Sequence, residues 1–353
     1  MRIILYILIL LSCAFLFKCK KSNDKIFFKI LLFVCLFLFI FKTATKIPDS
    51  ENYLFDYNDT YINKTNPLFA LMNQFFYKLG FPYALYKGIF YVFGYSVILI
   101  SLRKLDMNVY LAFFLYLISI FFVDVIQFRN FCGTVFLIGG VALLLKGSIK
   151  NKLLYLVFLA IATAFHNSFL VYLIFLCPLP KKKKYKKFFI GTYFFLVSLI
   201  FAFFFFNKGL VLELFLKFSF IDSQKFDTYS STITKSGSLI VFGSQLFTIV
   251  MLYACGKKIN PQNAKQKDLL CLILYLNVFA LCFSILAIID LNFYRLIRNL
   301  VLINLGSLTI FLKYTKKSIN FPRFAAFCYP ILWIAINFVL LHSFNSILLP
   351  FFK

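Results

Sequence analysis

Negative charge is scarce in this chain: 12 aspartates and glutamates stand against 38 lysines and arginines among 353 residues, and charged residues of either sign make up only 14%. A soluble protein carries roughly a quarter of its residues charged, so an ordinary water-facing surface is excluded. Histidine is scarcer still, with two in the chain. One of them, His166, lies inside apolar sequence with no second ligand beside it, which argues against a zinc centre or any other metal site. The nine cysteines, Cys13, Cys19, Cys35, Cys132, Cys177, Cys255, Cys271, Cys282 and Cys328, lack CxxC or Cys/His spacing. They read as buried small hydrophobes and not as a disulfide framework. There is no internal repeat, no low-complexity tract beyond one lysine run, and no segment that reads as a soluble domain.

What is abundant is apolar surface. The chain is 62% hydrophobic, contains 52 phenylalanines and has a mean hydropathy of +0.88. Apolar runs of membrane-spanning length recur from end to end, and continuous runs select helices over an alternating barrel pattern. The expectation is an all-α integral membrane protein with about 11–12 transmembrane helices, residues 1–353 forming one polytopic membrane domain. The runs are 3–17, 26–42, 83–102, 109–127, 131–145, 153–176, 188–206, 237–255, 269–289, 300–312 and 324–341. Leu10-Leu11-Ser12-Cys13 is a loose lipoprotein-like box. The preceding region has one arginine, however, and the apolar run continues past Cys13, so the first run reads as a membrane helix and not as a cleaved signal.

The net charge of +26 would suggest nucleic acid in a soluble protein. Here the lysines cluster in short loops, which is a topology signal and requires no nucleic-acid partner. Lys18, Lys20, Lys21 and Lys25 put the first loop in the cytoplasm, and alternation puts Arg103/Lys104 and Lys146/Lys150/Lys152 there too. Alternation would then place Lys181–Lys184 with Lys186 and Lys187 outside, against the same rule. The conflict disappears if residues 153–176 form a broken or re-entrant helical pair that enters and returns, its apex at His166-Asn167-Ser168 toward the outer face. Each arm would measure roughly 18 Å at 1.5 Å per residue, so tilt or local thinning is required. The outer face then carries two long loops, 43–82 and 207–236. The first contains an interfacial helix over 67–79, with Leu68, Leu71, Met72, Phe75, Phe76 and Leu79 on one face.

An ionisable side chain in membrane-embedded sequence is costly, which makes His166 a functional candidate. Its near-neutral pKa suits proton transfer from a hydroxyl, although a histidine satisfying backbone groups at a helix break gives the same sequence. Runs 131–145 and 300–312 are short, so their helices are expected to begin earlier, drawing in Arg129 and, for the second, Arg295 and Arg298. Arginines at outward helix N-termini make anion sites suited to phosphate; snorkelling to headgroups is the alternative. In the first outer loop Asp49, Tyr53, Tyr57 and Tyr61 recur every four residues, with Asp56 and Asp59 interleaved. This is either a sugar-stacking face with carboxylates nearby or part of an aromatic belt. Asp290 lies close enough to Arg295 in sequence to pair with it. The sequons at Asn58 and Asn63 are short patterns with little information.

Asn66-Pro67-Leu68-Phe69 after this loop, Phe128-Arg129-Asn130, and Ala164-Phe165-His166-Asn167-Ser168 together resemble the EpsG family of Wzy-like bacterial polysaccharide polymerases over roughly residues 45–310. The arginine followed some 37 positions later by Phe-His-x-Ser carries most of the likeness. Tyr294-Arg295 is similar to the family's later arginine, with Arg298 as the other candidate; after Arg129 this chain has Asn130, Phe131 and Cys132 where the family often has glutamine and small residues. The resemblance implies a GT-C-like polymerase in the bacterial cytoplasmic membrane. It implies joining of oligosaccharide units carried on undecaprenyl diphosphate at the outer face, for capsule, exopolysaccharide or O-antigen, in company with membrane lipids and other assembly proteins. His166, Arg129, Arg295 and Asp56 are then the expected catalytic residues, with His166 as base. Arg298, Asp49, Tyr53, Tyr57, Asn167 and Ser168 are expected to bind substrate, and no cofactor is called for. A lipid-linked oligosaccharide flippase would use the same arginines without glycosyl transfer, and a membrane acyltransferase is a third reading.

Overall fold

The computed structural model describes residues 1–18, 22–47, 49–58, 66–177, 183–207, 235–259, 264–314, 321–337 and 349–352. Tyr61, Asp59, most of the 207–236 loop, and Lys181 and Lys182 lie outside the described residues. Over the described residues the apolar runs are largely helical, and no strand occurs among them. Among the described residues, six helices are long and apolar enough to cross a bilayer: Lys25–Thr43, Tyr83–Arg103, Phe188–Phe206, Ser236–Lys258, Ala264–Ile288 and Leu291–Tyr314. The chain is an all-α integral membrane protein. Fewer helices than runs reach spanning length because breaks at Ile120 and His166 divide two runs, while runs 3–17 and 131–145 form helices of 17 residues.

The residues fall into two compact units, 1–171 with 302–316 and 326–353, and 172–301 with 317–325. The first unit opens with α1 (Arg2–Lys18) packed on α2 (Ser22–Thr43), followed by α3 (Ser50–Asn58) and α4 (Pro67–Lys78) in the loop. Next come α5 (Tyr83–Arg103), then α6 (Val109–Ser119) and α7 (Phe121–Ile126) on either side of Ile120, then α8 (Phe128–Leu144) and α9 (Ile149–Phe165). Ile3, Ile4, Ile7 and Phe15 of α1 stay exposed, the reverse of a soluble helix and the expected face toward lipid.

Small residues set the packing of α8. Gly147, with φ +78, sits in the turn that leads into α9, where Ser148 caps the new helix by accepting from the Asn151 N–H. A Cβ on Gly139 or Gly140 would meet Phe158 at 2.8–2.9 Å, and one on Gly94 of α5 would meet Val135 and Phe131 at 2.7–2.8 Å. Glycine lets the helices approach this closely, as in other membrane helix pairs. Tyr91 stacks on Phe128 and Phe131 at 5.4 and 4.2 Å, and Tyr95 lies 4.8 Å from Phe131, so α5 runs parallel to α8 while α9 runs antiparallel. The first turns of α5 and α8 and the end of α9 therefore share one end of the unit. Buried polar groups tie α5 to α6 and α7: Tyr116 donates to Asp124 at 2.8 Å, the Tyr95 and Tyr116 hydroxyls are 2.9 Å apart, and Tyr91 donates to the Asp124 carbonyl.

The break at His166 differs from the expected hairpin. Phe158 packs on Gly140, Phe165 stacks on Phe136 at 5.4 Å, and the Phe169 ring packs on Gly133. The contacts move steadily toward the start of α8, so through Phe169 the chain continues past His166 instead of turning back. The backbone changes there from α to a 3-10 helix, Asn167–Leu176. That tighter winding gives about 2 Å of rise per residue and gains length for a short segment.

In the second unit, α10 (Lys183–Phe206), α11 (Lys235–Lys258), α12 (Ala264–Ala280) and α13 (Phe283–Ile289) are followed by α14 (Tyr294–Arg298). Gln245 of α11 donates to the Asn277 carbonyl of α12 at 2.7 Å, and Tyr193 of α10 donates to the Phe279 carbonyl at 2.7 Å. Such bonds hold helices together where lipid supplies no hydrophobic drive.

Candidate active site

His166 closes α9 with an extended backbone, φ −154 and ψ 115, and its ring is buried with 6% exposure. The Ser168 N–H donates to His166 Nδ1 at 3.3 Å, and Ser168 Oγ lies 3.0 Å from the same atom. A backbone N–H can only donate, so Nδ1 accepts, and the neutral ring carries its proton on Nε2. The ring therefore presents a donor, the opposite of the lone pair a base would need at Nε2. Next to it the Asn167 N–H donates to Asn66 Oδ1 at 3.3 Å, fastening the entrance of α4 to the break in α9. Asn167 itself is exposed and Ser168 half-buried.

Arg129 is the second residue of α8, in the first turn, at the same end of the unit as His166. Its side chain is half-buried, and its buried Nε has no hydrogen-bond partner among the described residues. The free amides of a 17-residue helix and an arginine there form a positively polarised end.

The tyrosines of α3 do not share one role. Tyr57 is enclosed, with 2% exposure, between Tyr77, Tyr83 and Tyr86 at 5.4–5.7 Å, and its hydroxyl donates to the Phe81 carbonyl. Its ring is committed to packing and is not open for a sugar to stack on, contrary to the sequence expectation. Tyr53 is half-buried, edge-on to Phe69 and Phe128 at 6.0 and 6.4 Å. Asp49 and Asp56 are exposed; Asp49 has φ +59, a left-handed conformation that aspartate tolerates better than most residues. Helix α4 turns Phe69, Ala70 and Asn73 inward and leaves Leu71, Phe75 and Leu79 exposed, so only part of the expected apolar face is free to meet lipid.

Arg295 and Arg298 belong to the second unit. They lie in the last turn of the five-residue α14, which ends at Asn299 before the helix Val301–Tyr314 begins. They fall near the start of the apolar span Leu291–Tyr314, which begins earlier than run 300–312 as expected, with a two-residue turn at Asn299–Leu300 between them and the helix Val301–Tyr314. Arg298 is enclosed, donates to the Tyr294 hydroxyl at 2.6 Å and lies 5.1 Å over that ring. The Asp290 carboxylate accepts from the Asn292 backbone and side-chain amides, capping the turn Leu291–Phe293. Tyr172 donates to the carbonyl of Leu296, which lies between the two arginines in α14, a contact that sequence spacing did not suggest.

The residue that sequence reasoning missed most plainly is Lys87 of α5, which is fully enclosed at the same end of the first unit as Arg129 and His166. Its signal was available: it is a lone cation inside an apolar run, the criterion that singled out His166. A groove of about 450 Å³ between α2 and α5, lined by Phe37, Ile89 and Phe93 among others, opens on the other side of α5. At about 100° per residue, Ile89 and Phe93 point away from Lys87.

Comparison with curated proteins and with solved structures finds no match to either. The model of one family does match, over residues 48–352, which takes in α3 to the last described helix. The chain therefore belongs to the EpsG family, the family of Wzy-like polysaccharide polymerases.

Proposed function

We propose that this protein joins oligosaccharide repeat units carried on undecaprenyl diphosphate, at the outer face of the bacterial cytoplasmic membrane. The observation that carries the reading is the shared end of α5, α8 and α9, which holds an arginine in the first turn of α8, its Nε without a hydrogen-bond partner among the described residues, and a histidine at the break that ends α9. In the reaction the bond from the anomeric carbon to the lipid diphosphate breaks, and the diphosphate leaves with the electron pair. An oxygen of the incoming unit forms the new bond and gives up its proton. Preorganised cationic donors are the largest aid to such a departure in a water-poor site. Arg129 takes that role, with His166 as an Nε2–H donor beside it. The hydroxyl proton passes to an exposed carboxylate, Asp49 or Asp56.

The experiment is to replace Arg129 or His166 with alanine in cells and examine lipid-linked glycans. A polymerase defect leaves single units exposed outside, whereas a flippase defect retains them inside. Full-length polymer from both variants would remove these residues from the site.

A further inference from the structure

Lys87 has no exposure, and its Nζ has no hydrogen-bond partner among the described residues. What surrounds it is aromatic: the Tyr83 ring lies 5.8 Å and the Phe128 ring 5.9 Å from the ammonium. Tyr83 is also buried, and its hydroxyl is a second polar atom with no hydrogen-bond partner among the described residues. The two residues are four apart on α5 and so share a face. Two ring contacts near 6 Å recover only a fraction of what enclosing an ammonium costs. A carboxylate, Asp49, acts on Lys87 through space, but it is exposed at the start of α3 and makes no ion pair with it. A packing role would be met by methionine or leucine without that cost. Two such polar atoms on one face of α5, the ammonium 5.8 Å from the Tyr83 ring, mark a place built for a ligand.

The cover over this place comes from the loop helices. Tyr57 of α3 packs on Tyr83 at 5.5 Å, and Tyr53 and Phe69 lie against Phe128 at 6.4 and 5.8 Å. Phe128 is the first residue of α8 and precedes Arg129, so the Lys87 ammonium lies near the helix end proposed above to hold the diphosphate. We propose that Lys87 Nζ and the Tyr83 hydroxyl bind a phosphate oxygen of the lipid-linked substrate when the Tyr53–Tyr57 face of α3 yields. Lys87 thereby serves as a substrate-binding residue beside Arg129. This assignment rests on the proposed polymerase reading for the identity of the substrate, but not for the existence of the anion site.

The test is ligand-induced thermal stabilisation of the purified full chain in detergent, with farnesyl diphosphate and phosphatidylglycerol as separate probes. Wild-type protein is expected to be stabilised by farnesyl diphosphate. Lys87→Met should melt at or above the wild-type temperature without ligand and bind the diphosphate about tenfold or more weakly. Tyr83→Phe should weaken binding less, and Lys87→Arg should retain part of it. A Lys87→Met protein that melts lower yet keeps the full shift would make the lysine structural and overturn the proposal. Absence of a shift in wild-type protein, or an equal Lys87-dependent shift with phosphatidylglycerol, would overturn it as well. A Lys87-dependent diphosphate shift in a protein that does not lengthen lipid-linked units would uphold the site while removing the polymerase reading.

Discussion

At the residue scale, the tautomer of His166 decides what it can do. With Nδ1 accepting from the Ser168 N–H at 3.3 Å, the ring is a donor, and glutamine can imitate a donor but not a base. His166→Gln is therefore expected to keep a substantial share of the polymerisation rate, while His166→Ala loses roughly 10²-fold. Steady-state assay of both variants checks this, and equal loss in the two would return the histidine to a base. Arg129→Ala should cost about 10²–10³-fold, mainly in kcat, since it acts on charge that develops as the diphosphate leaves. Arg129→Lys should recover only part, because an ammonium lacks the planar fork; full rescue by lysine would reduce the arginine to a point charge.

At the element scale, closeness between α8 and its neighbours holds the site in register. A methyl group on Gly133 would lie 2.5 Å from the Phe169 ring, the contact that carries the chain past His166. Gly133→Ala should destabilise the protein by about 1–3 kcal/mol and reduce activity more than a change of equal stability made elsewhere. Thermal melting alongside activity measures both, and an unchanged protein would mean that the break at His166 tolerates displacement. Here the limits of the sequence are visible. His166 and Arg129 were legible because a lone charge stands out in apolar sequence. The direction of the chain after His166 was not, because it depends on Phe169 meeting Gly133 across two helices, a contact without local periodicity. The expectation for Tyr57 failed for a similar reason: four-residue spacing places tyrosines on one face but does not say whether that face meets water or Tyr83 and Tyr86. Lys87 was passed over because it lies just inside its run, where a basic residue resembles ordinary flanking charge.

At the scale of the whole molecule, the chain is a multi-pass helical membrane protein of the EpsG family. Composition alone led to that architecture, since 62% apolar sequence leaves few other ways to satisfy the backbone in lipid. Division of the cationic residues between the two compact units followed from the three-dimensional contacts and had no counterpart in the order of the motifs. The most direct test of the central claim is incubation of the purified protein in lipid nanodiscs with lipid-linked repeat units, resolving products by length. The account predicts a ladder of lengthened glycans with one lipid diphosphate released per bond, abolished by Arg129→Ala. Binding or translocation of single units with no lengthening would contradict it.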